Sequence, residues 1–535
     1  MASVDVAASS ANSAPPVVSG AATVAFTLPP LTGSARVIGT IALSAATFMN
    51  VLDTSIANVS LPAIAGDLGV SPNQGTWVIT SFAVANAIAV PLTGWLTQRF
   101  GQVRLFMTSV LLFVLTSWLC GLAPSMESLI ALRALQGFVA GPMIPLSQTL
   151  LLSSYPREKA GMAMAMWAMT TLVAPVAGPL LGGWITDNAA WPWIFYINIP
   201  VGLIAAFATW TIYRKRETPV RKVPIDSIGL ALLVLWVGSM QLMLDLGKEL
   251  GWFESTVIIL LALTAVVGLA VFIAWELTDE HPVVDLSLFK RRNFWIGASS
   301  TALAYGAFFG NVVLLPLWLQ QYMGYTATQA GMVTAPVGLL ALLLSPVVGK
   351  TIANVDPRRY VTFAFIVFAL VLWMRSHFNT QADFWTVLVP TLIQGIAMAF
   401  FFIPLVTITL SGLPPERLAA ASGLSNFARI TAGAVGTSVA TTWWESRATL
   451  HHSQLTESIN RGNDAATAAI GGLNAAGLTT EQALFQINRI IDQQAFMLAA
   501  NDIFYFCSFL FLLLIPLVWM SRPLRGQAVD AGGAH

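Results

Sequence analysis

Apolar stretches about twenty residues long recur along the whole chain, bounded by charges, proline and glycine. They fall near 37–59, 76–96, 105–123, 128–151, 162–185, 193–213, 226–245, 255–276, 294–319, 327–349, 360–376, 383–411, 418–444 and 499–520. Each has the length of a helix that crosses bilayer hydrocarbon, where backbone polar groups must be bonded within their own segment. Fourteen such stretches predict an all-α polytopic membrane protein with fourteen transmembrane helices. Composition agrees. Of 535 residues, 56% are hydrophobic and 10% charged, against about 25% charged in soluble domains.

Several chemistries drop out early. A net charge of +1 gives no basic footprint for nucleic acid. Cys120 and Cys507 lie inside apolar runs and form neither a disulfide framework nor a metal spacing. The five histidines are too scattered for a metal cluster. Gly349-Lys350-Thr351 looks like the tail of a phosphate-binding loop, but Leu344 stands where that motif needs Gly. No cofactor or nucleotide site is expected, so any pumping draws on an ion gradient.

Lys and Arg favour the cytoplasmic side of membranes. With an even span count both termini share a side. Placing them in the cytoplasm puts Arg36, Arg99, Arg104, Arg214, Lys215, Arg216, Lys290, Arg291, Arg292, Arg358 and Arg359 there with most other basic residues. Lys248, Arg375, Arg447, Arg461 and Arg489 fall outside. Gln74, Pro91, Gly94 and Arg104 match Gln329, Pro346, Gly349 and Arg359 in one register. That repeat implies two related six-helix bundles, a plan in which substrate binds between the repeats. The expected organisation is a disordered extension at 1–34, a first bundle at 35–213, an inserted helix pair with its linkers at 214–293, a second bundle at 294–522 and a tail at 523–535.

Ionisable residues inside spans face the bundle interior and mark ion pathways. Asp53 is the lone acidic residue deep in a span, on a helical stripe with Thr47, Asn50, Thr54 and Asn58. Arg133 enters its span at a similar depth, so pairing is geometrically open. A static ion pair is the alternative to proton handling. By the match of Gln136-Gly137 to Gln394-Gly395, the second bundle carries Thr391 in place of Arg133. Proton handling is therefore expected in the first bundle. Arg429, beside Asn426, admits two readings, attraction of an anionic substrate group or bonding to backbone carbonyls. Tyr305, Phe308, Phe309 and the run Phe400, Phe401 and Phe402 are candidates for an apolar cavity. In span five, Ala174, Gly178 and Gly182 share a face that allows close helix approach, while Pro175 and Pro179 invite a kink and Gly183 follows. The readings are helix packing alone, or a pivot or proton seal.

One outer loop, 445–498, is long, with Leu484, Ile487 and Ile491 at helical spacing. It reads as an exposed helical hairpin or as a docking surface for a periplasmic partner.

Jointly these residues resemble the major facilitator superfamily, in its fourteen-helix drug:proton antiporter branch, which includes the EmrB-type multidrug exporters of Gram-negative bacteria. The resemblance covers nearly the whole chain from about residue 35 and rests on Leu52-Asp53-Thr54-Ser55-Ile56-Ala57-Asn58-Val59-Ser60-Leu61-Pro62, the loop motif Gly94 to Gly101 with Arg99, and Arg133-Ala134-Leu135-Gln136-Gly137. It also rests on the antiporter motif Gly178-Pro179-Leu180-Leu181-Gly182-Gly183 and on Trp193 to Gly202. Gln98 departs from the usual Asp of the loop motif and Ser55 from a common Thr. The resemblance implies an exporter in the bacterial inner membrane that is not an enzyme. It implies exchange of hydrophobic, often weakly acidic toxic compounds for protons. Asp53 and Arg133 would couple the proton, and Asn50, Asn58, Gln136, Tyr305, Phe309, Asn426 and Arg429 are cavity candidates. The partners implied are a periplasmic membrane-fusion adaptor and a TolC-type outer-membrane channel. A proton-coupled uptake permease is the alternative.

Overall fold

The computed structural model describes residues 29–523 apart from 71, 157–158, 222–223, 353, 458 and 460–462. The expected extension and tail lie almost wholly outside the described residues. Described residues form helices, turns and loops, with no strand among them.

The chain begins with α1 (Gly33–Asp67), α2 (Pro72–Gly75), α3 (Trp77–Ala89), α4 (Thr93–Phe100), α5 (Gln102–Gly121), α6 (Met126–Ala140), α7 (Met143–Ser154), α8 (Ala160–Asn188), α9 (Trp193–Tyr196) and α10 (Asn198–Tyr213). A second pair follows, α11 (Ser227–Leu246) and α12 (Thr256–Thr278). The remainder is α13 (Arg292–Tyr322), α14 (Ala327–Thr334), α15 (Pro336–Thr351), α16 (Pro357–Arg375), α17 (Phe384–Leu410), α18 (Leu418–Glu457), α19 (Asp464–Ala475) and α20 (Thr480–Trp519). Polar residues set the helix starts, since the first N–H groups of a helix lack internal partners. Asp226 accepts from Ile228 N and Gly229 N at the head of α11. Thr326 with Gln329 and Thr479 with Gln482 form capping boxes on α14 and α20.

Eleven helical segments are long and apolar enough to cross a membrane, twelve if α3 and α4, which meet at 63°, form one span. This is fewer than the fourteen expected. Each expected stretch is helical; α18 falls short in hydropathy, whereas α8 is as apolar as the others but includes positions whose side chains lie outside the described residues. Both helices pack against other helices, α8 along α1 and α15, α18 along α13 and α20. Small residues bring these helices close. Gly182 of α8 lies near Ile56 O, and Gly306 of α13 lies 2.8 Å from Ala432 O, measured from where a Cβ would stand. Lipid-type side chains point outward instead, as Ile204, Phe207, Leu263 and Val266 do on α10 and α12.

Elements α1 to α10 pack among themselves, as do α13 to α20, while α11 leans on α3 and α18. The two groups touch at the end where the basic loops lie. Gly94 abuts Ala420 at the start of α18, and Gly349 abuts Gly161 and Ala165 at the start of α8. The matched glycines thus make matched close approaches.

The long outer segment is a continuation of helices. α18 runs on to Glu457, and α20 begins at Thr480. Ala483 and Ile491 turn inward and Ile487 is half-buried, whereas Leu484 is exposed, so the expected apolar face is displaced by about one residue. Arg375, expected in a loop, is the buried last residue of α16.

Candidate functional site

Asp53 sits in the middle of α1 with 1% of its surface exposed, and Arg133 of α6 is fully buried. Arg133 Nη1 donates to Asp53 Oδ2 at 2.6 Å and to Gln136 Oε1 at 2.6 Å. Its Nε donates to Val78 O at 3.1 Å. Asp53 Oδ1 accepts from Asn198 Nδ2 at 2.7 Å and Gln136 Nε2 at 3.3 Å. Ser117 Oγ accepts from both Gln136 Nε2 and Asn198 Nδ2. The guanidinium lies 4.3 Å from the centroid of the Phe82 ring and 5.5 Å from that of Phe195. Arg133 Nη2 has no partner. Such a pair is held by geometry more than by net attraction, because desolvation offsets much of the Coulomb gain. Loss of either charge leaves the other stranded.

The Asp53 stripe divides. Thr47 Oγ1 donates to Ser147 Oγ at 2.8 Å, and Asn50 Nδ2 to Ala140 O at 3.1 Å. Asn58 is exposed and stands apart from the network. Residue type alone does not single out Asn198 or Ser117. Asn198 lies in the Trp193–Gly202 stretch, but Ser117 carries no sequence signal.

The second group holds a related cluster. Arg375 Nη2 donates to Gln394 Oε1 at 2.6 Å and Thr391 Oγ1 at 3.1 Å. Ser117, Arg133 and Gln136 have the same chain spacing as Arg375, Thr391 and Gln394. The guanidinium has moved to the neighbouring helix, and no acidic residue pairs with it among the described residues.

A third polar group lies between the halves. Arg429 Nη1 donates to Tyr305 Oη at 2.8 Å and its Nη2 to Asn426 Oδ1 at 2.9 Å, while Nε has no partner. Its guanidinium lies 4.8 Å from the Tyr305 centroid and 5.8 Å from that of Phe402. Tyr305 stacks on Phe309 at 4.7 Å. Asn426 Nδ2 donates to Gln148 Oε1 at 3.2 Å, and Ser422 Oγ donates to the same atom. A cavity of about 20 Å³ beside this chain is lined by Gln148, Trp167, Phe401, Phe402, Asn426 and Arg429 among others. Arg429 therefore bonds side chains, not the backbone carbonyls of the alternative reading.

In α8, a Cβ on Gly178 would overlap the Ser55 side chain of α1, whereas Gly183 faces open space. Side chains of Pro175 and Pro179 lie outside the described residues. In the loop motif, Gly101 adopts φ 87°, in the left-handed region that favours glycine. A Cβ there would run into the carboxylate of Glu217, which accepts from Val103 N and Arg104 N at 2.9 Å. Glu217 thus caps α5. Gln98 joins the same loop through its carbonyl, which accepts from Arg221 N at 2.8 Å. Arg99 lies 5.8 Å from the Trp95 ring centroid. Among the described residues no three His, Cys, Asp or Glu side chains are grouped to hold a metal ion.

A family model described as Major Facilitator Superfamily matches residues 43–437. The chain is 53% identical over 507 residues to the multidrug export protein EmrB of Escherichia coli K12, covering 95% of this chain and 99% of that one. It is 50% identical over 507 residues to the fatty acid resistance protein FarB of Neisseria gonorrhoeae, with the same shares covered. In fold it is similar to the human organic anion transporter MFSD10, with a TM-score of 0.57, 14% identity, 91% of this chain and all of that chain covered.

Proposed function

The chain belongs to the Major Facilitator Superfamily, and on that premise we propose that it is a proton-coupled multidrug exporter working within a tripartite efflux system. Its kinship with multidrug export proteins makes it a multidrug efflux transporter of the inner membrane rather than an enzyme. Proton coupling, orientation and partners are the finer reading. We count α8 and α18 as spans, which gives fourteen, in two six-helix bundles at 35–213 and 294–522 with α11 and α12 inserted within 214–293. Both termini then lie in the cytoplasm, and the basic-loop end is the inner end.

The observation that carries the coupling reading is the buried network of Asp53 with Arg133, Gln136 and Asn198. While Asp53 is ionised, Arg133 is neutralised and α1, α6 and α10 are held together. A proton arriving from outside cancels the Asp53 charge and leaves Arg133 uncompensated. Relief of that strain would shift α1 against α6, aided by the close sliding contact of Gly178 with Ser55. Release of the proton inside restores the pair. A charge crossing about 100 mV supplies roughly 2.3 kcal/mol for this cycle.

Substrate would bind between the bundles, against Tyr305, Phe309 and Phe402, once the inner contacts part. Arg429 would meet an anionic end, a reading in keeping with a relative named for fatty acid resistance. The hairpin of α18, α19 and α20 would meet the adaptor that leads to a TolC-type channel; Leu484, Phe485 and Ile490 are exposed on it. Purified protein in proteoliposomes tests the proposal. Substrate addition should release protons from the intact protein and none from Asp53→Asn.

A further inference from the structure

Glu276 lies in the last turns of α12, is 4% exposed, and belongs to none of the networks above. Its Oε2 accepts from Val284 N at 3.1 Å, and its Oε1 has no partner. Opposite stands Asp226, the residue that caps α11. Asp226 Oδ1 accepts from Ile228 N at 3.1 Å and Gly229 N at 2.8 Å, and Oδ2 from Trp275 Nε1 at 2.9 Å. The two carboxylates meet over Gly229. A Cβ there would lie 2.8 Å from Glu276 Oε1 and would overlap Asp226 Oδ2.

Three of the four oxygens therefore accept from N–H donors; the fourth, Glu276 Oε1, has no bonded donor and lies across Gly229 from the Asp226 carboxylate, with the Val283 N–H also near the Glu276 carboxyl. A metal ion needs several free oxygens and finds one. Two ionised carboxylates this close repel, and burial adds to the cost. Among the described residues, other charged groups near Glu276 do not relieve it. Asp279 adds a like charge from the end of α12. On the linker, Asp285 turns to Ser287 and Arg417, Lys290 is exposed, and Arg291 bonds Gly412 O. One bound proton resolves the conflict by turning an orphan acceptor into a donor.

We propose that Glu276 and Asp226 share one proton, Glu276 donating through Oε1 to Asp226 Oδ2, as a second protonation site separate from Asp53. The site ties the inserted pair to the linker that enters α13, because Glu276 Oε2 holds Val284 N. Val283 and Val284 in turn pack with Phe294 and Leu424 in one apolar cluster. Losing the proton sets like charges against each other at this joint and loosens the linker. This site is independent of the exchange reaction proposed above.

Infrared titration of the full-length protein in liposomes tests it. At neutral pH a protonated-carboxyl band should be present in the parent and in Asp53→Asn, and be lost in Glu276→Gln. Asp226→Asn keeps a capping oxygen and offers Glu276 an N–H, so it should lose the band as well. A neutral-pH spectrum unchanged by Glu276→Gln would mean that Glu276 is ionised, and the proposal would fall. Hydrogen exchange supplies the second readout. Relative to the base-catalysed intrinsic rate at each pH, protection in 279–291 should fall several-fold on alkalinisation in the parent and stay constant in Glu276→Gln. An equal fall in protection in both would break the link to the joint.

Discussion

Arg375 donates to Thr391 at 3.1 Å, and Thr391 stands at the position that Arg133 fills in the first group. The two halves thus each bury one guanidinium beside a Gln, on neighbouring helices of the same motif. Of these two, only Arg133 has a carboxylate partner among the described residues. Under the proposed mechanism this difference confines coupling to the first half, and it sets the first prediction.

Arg375→Gln should leave coupling intact. Its guanidinium bonds Thr391 and Gln394, so the loss is structural, about 1–3 kcal/mol for acceptors left unpaired. Membrane abundance should fall while proton release per molecule of reconstituted protein stays near the parent's. Uncoupled transport by the variant at normal abundance contradicts this.

Arg133→Ala should destabilise the protein by about 3–5 kcal/mol, because it strands a buried Asp53. Arg133→Lys keeps the charge and should retain part of the transport, although it cannot reach Asp53, Gln136 and Val78 O together. Adding Asp53→Asn to Arg133→Ala should recover stability without recovering coupling. Thermal unfolding of the four proteins measures the interaction. Strict additivity would show that the contact carries no energy.

Gly178→Ala should cost about 1–3 kcal/mol of overpacking against Ser55, and Gly178→Leu should prevent switching between states. Gly183→Ala is the control, since a Cβ there meets nothing within 4 Å. Labelling of single cysteines from both sides of the membrane reads the result. Unchanged labelling in Gly178→Leu removes the sliding contact from the cycle.

The sequence displayed the helical class, the matched depth that leaves Asp53 and Arg133 free to pair, and the close face at Gly178, because charge in an apolar run and glycine spacing are local signals. Other features needed the fold. Ser117 is one serine among many until Gln136 and Asn198 both point at it. Glu217 sits in a basic stretch and looks like a surface charge, yet it caps a helix that begins over a hundred residues earlier. Arg375 lies at the edge of an apolar run, where composition cannot separate a loop from a last turn. α18 shows the converse. Its small and polar residues lower its hydropathy, and its neighbours α13 and α20 are helices instead of lipid.

Asp356 caps α16, and the Arg358 guanidinium bonded to it holds its carboxyl below the ordinary range. A lowered folded value means that its contribution is present above the unfolded value and lost as pH falls through the folded one. Asp356→Ala should lower stability at neutral pH by about 1 kcal/mol, and the difference from the parent should shrink in acid. A difference constant from neutral to strongly acidic pH would contradict the assignment.

The central claim is that Asp53 exchanges the proton that drives export. Its most direct measurement is substrate-induced proton release from the reconstituted protein, followed with Asp53→Asn at matched amount and substrate occupancy. The parent should release a proton on substrate binding and Asp53→Asn none, while still binding substrate. Equal proton release from both proteins would contradict it.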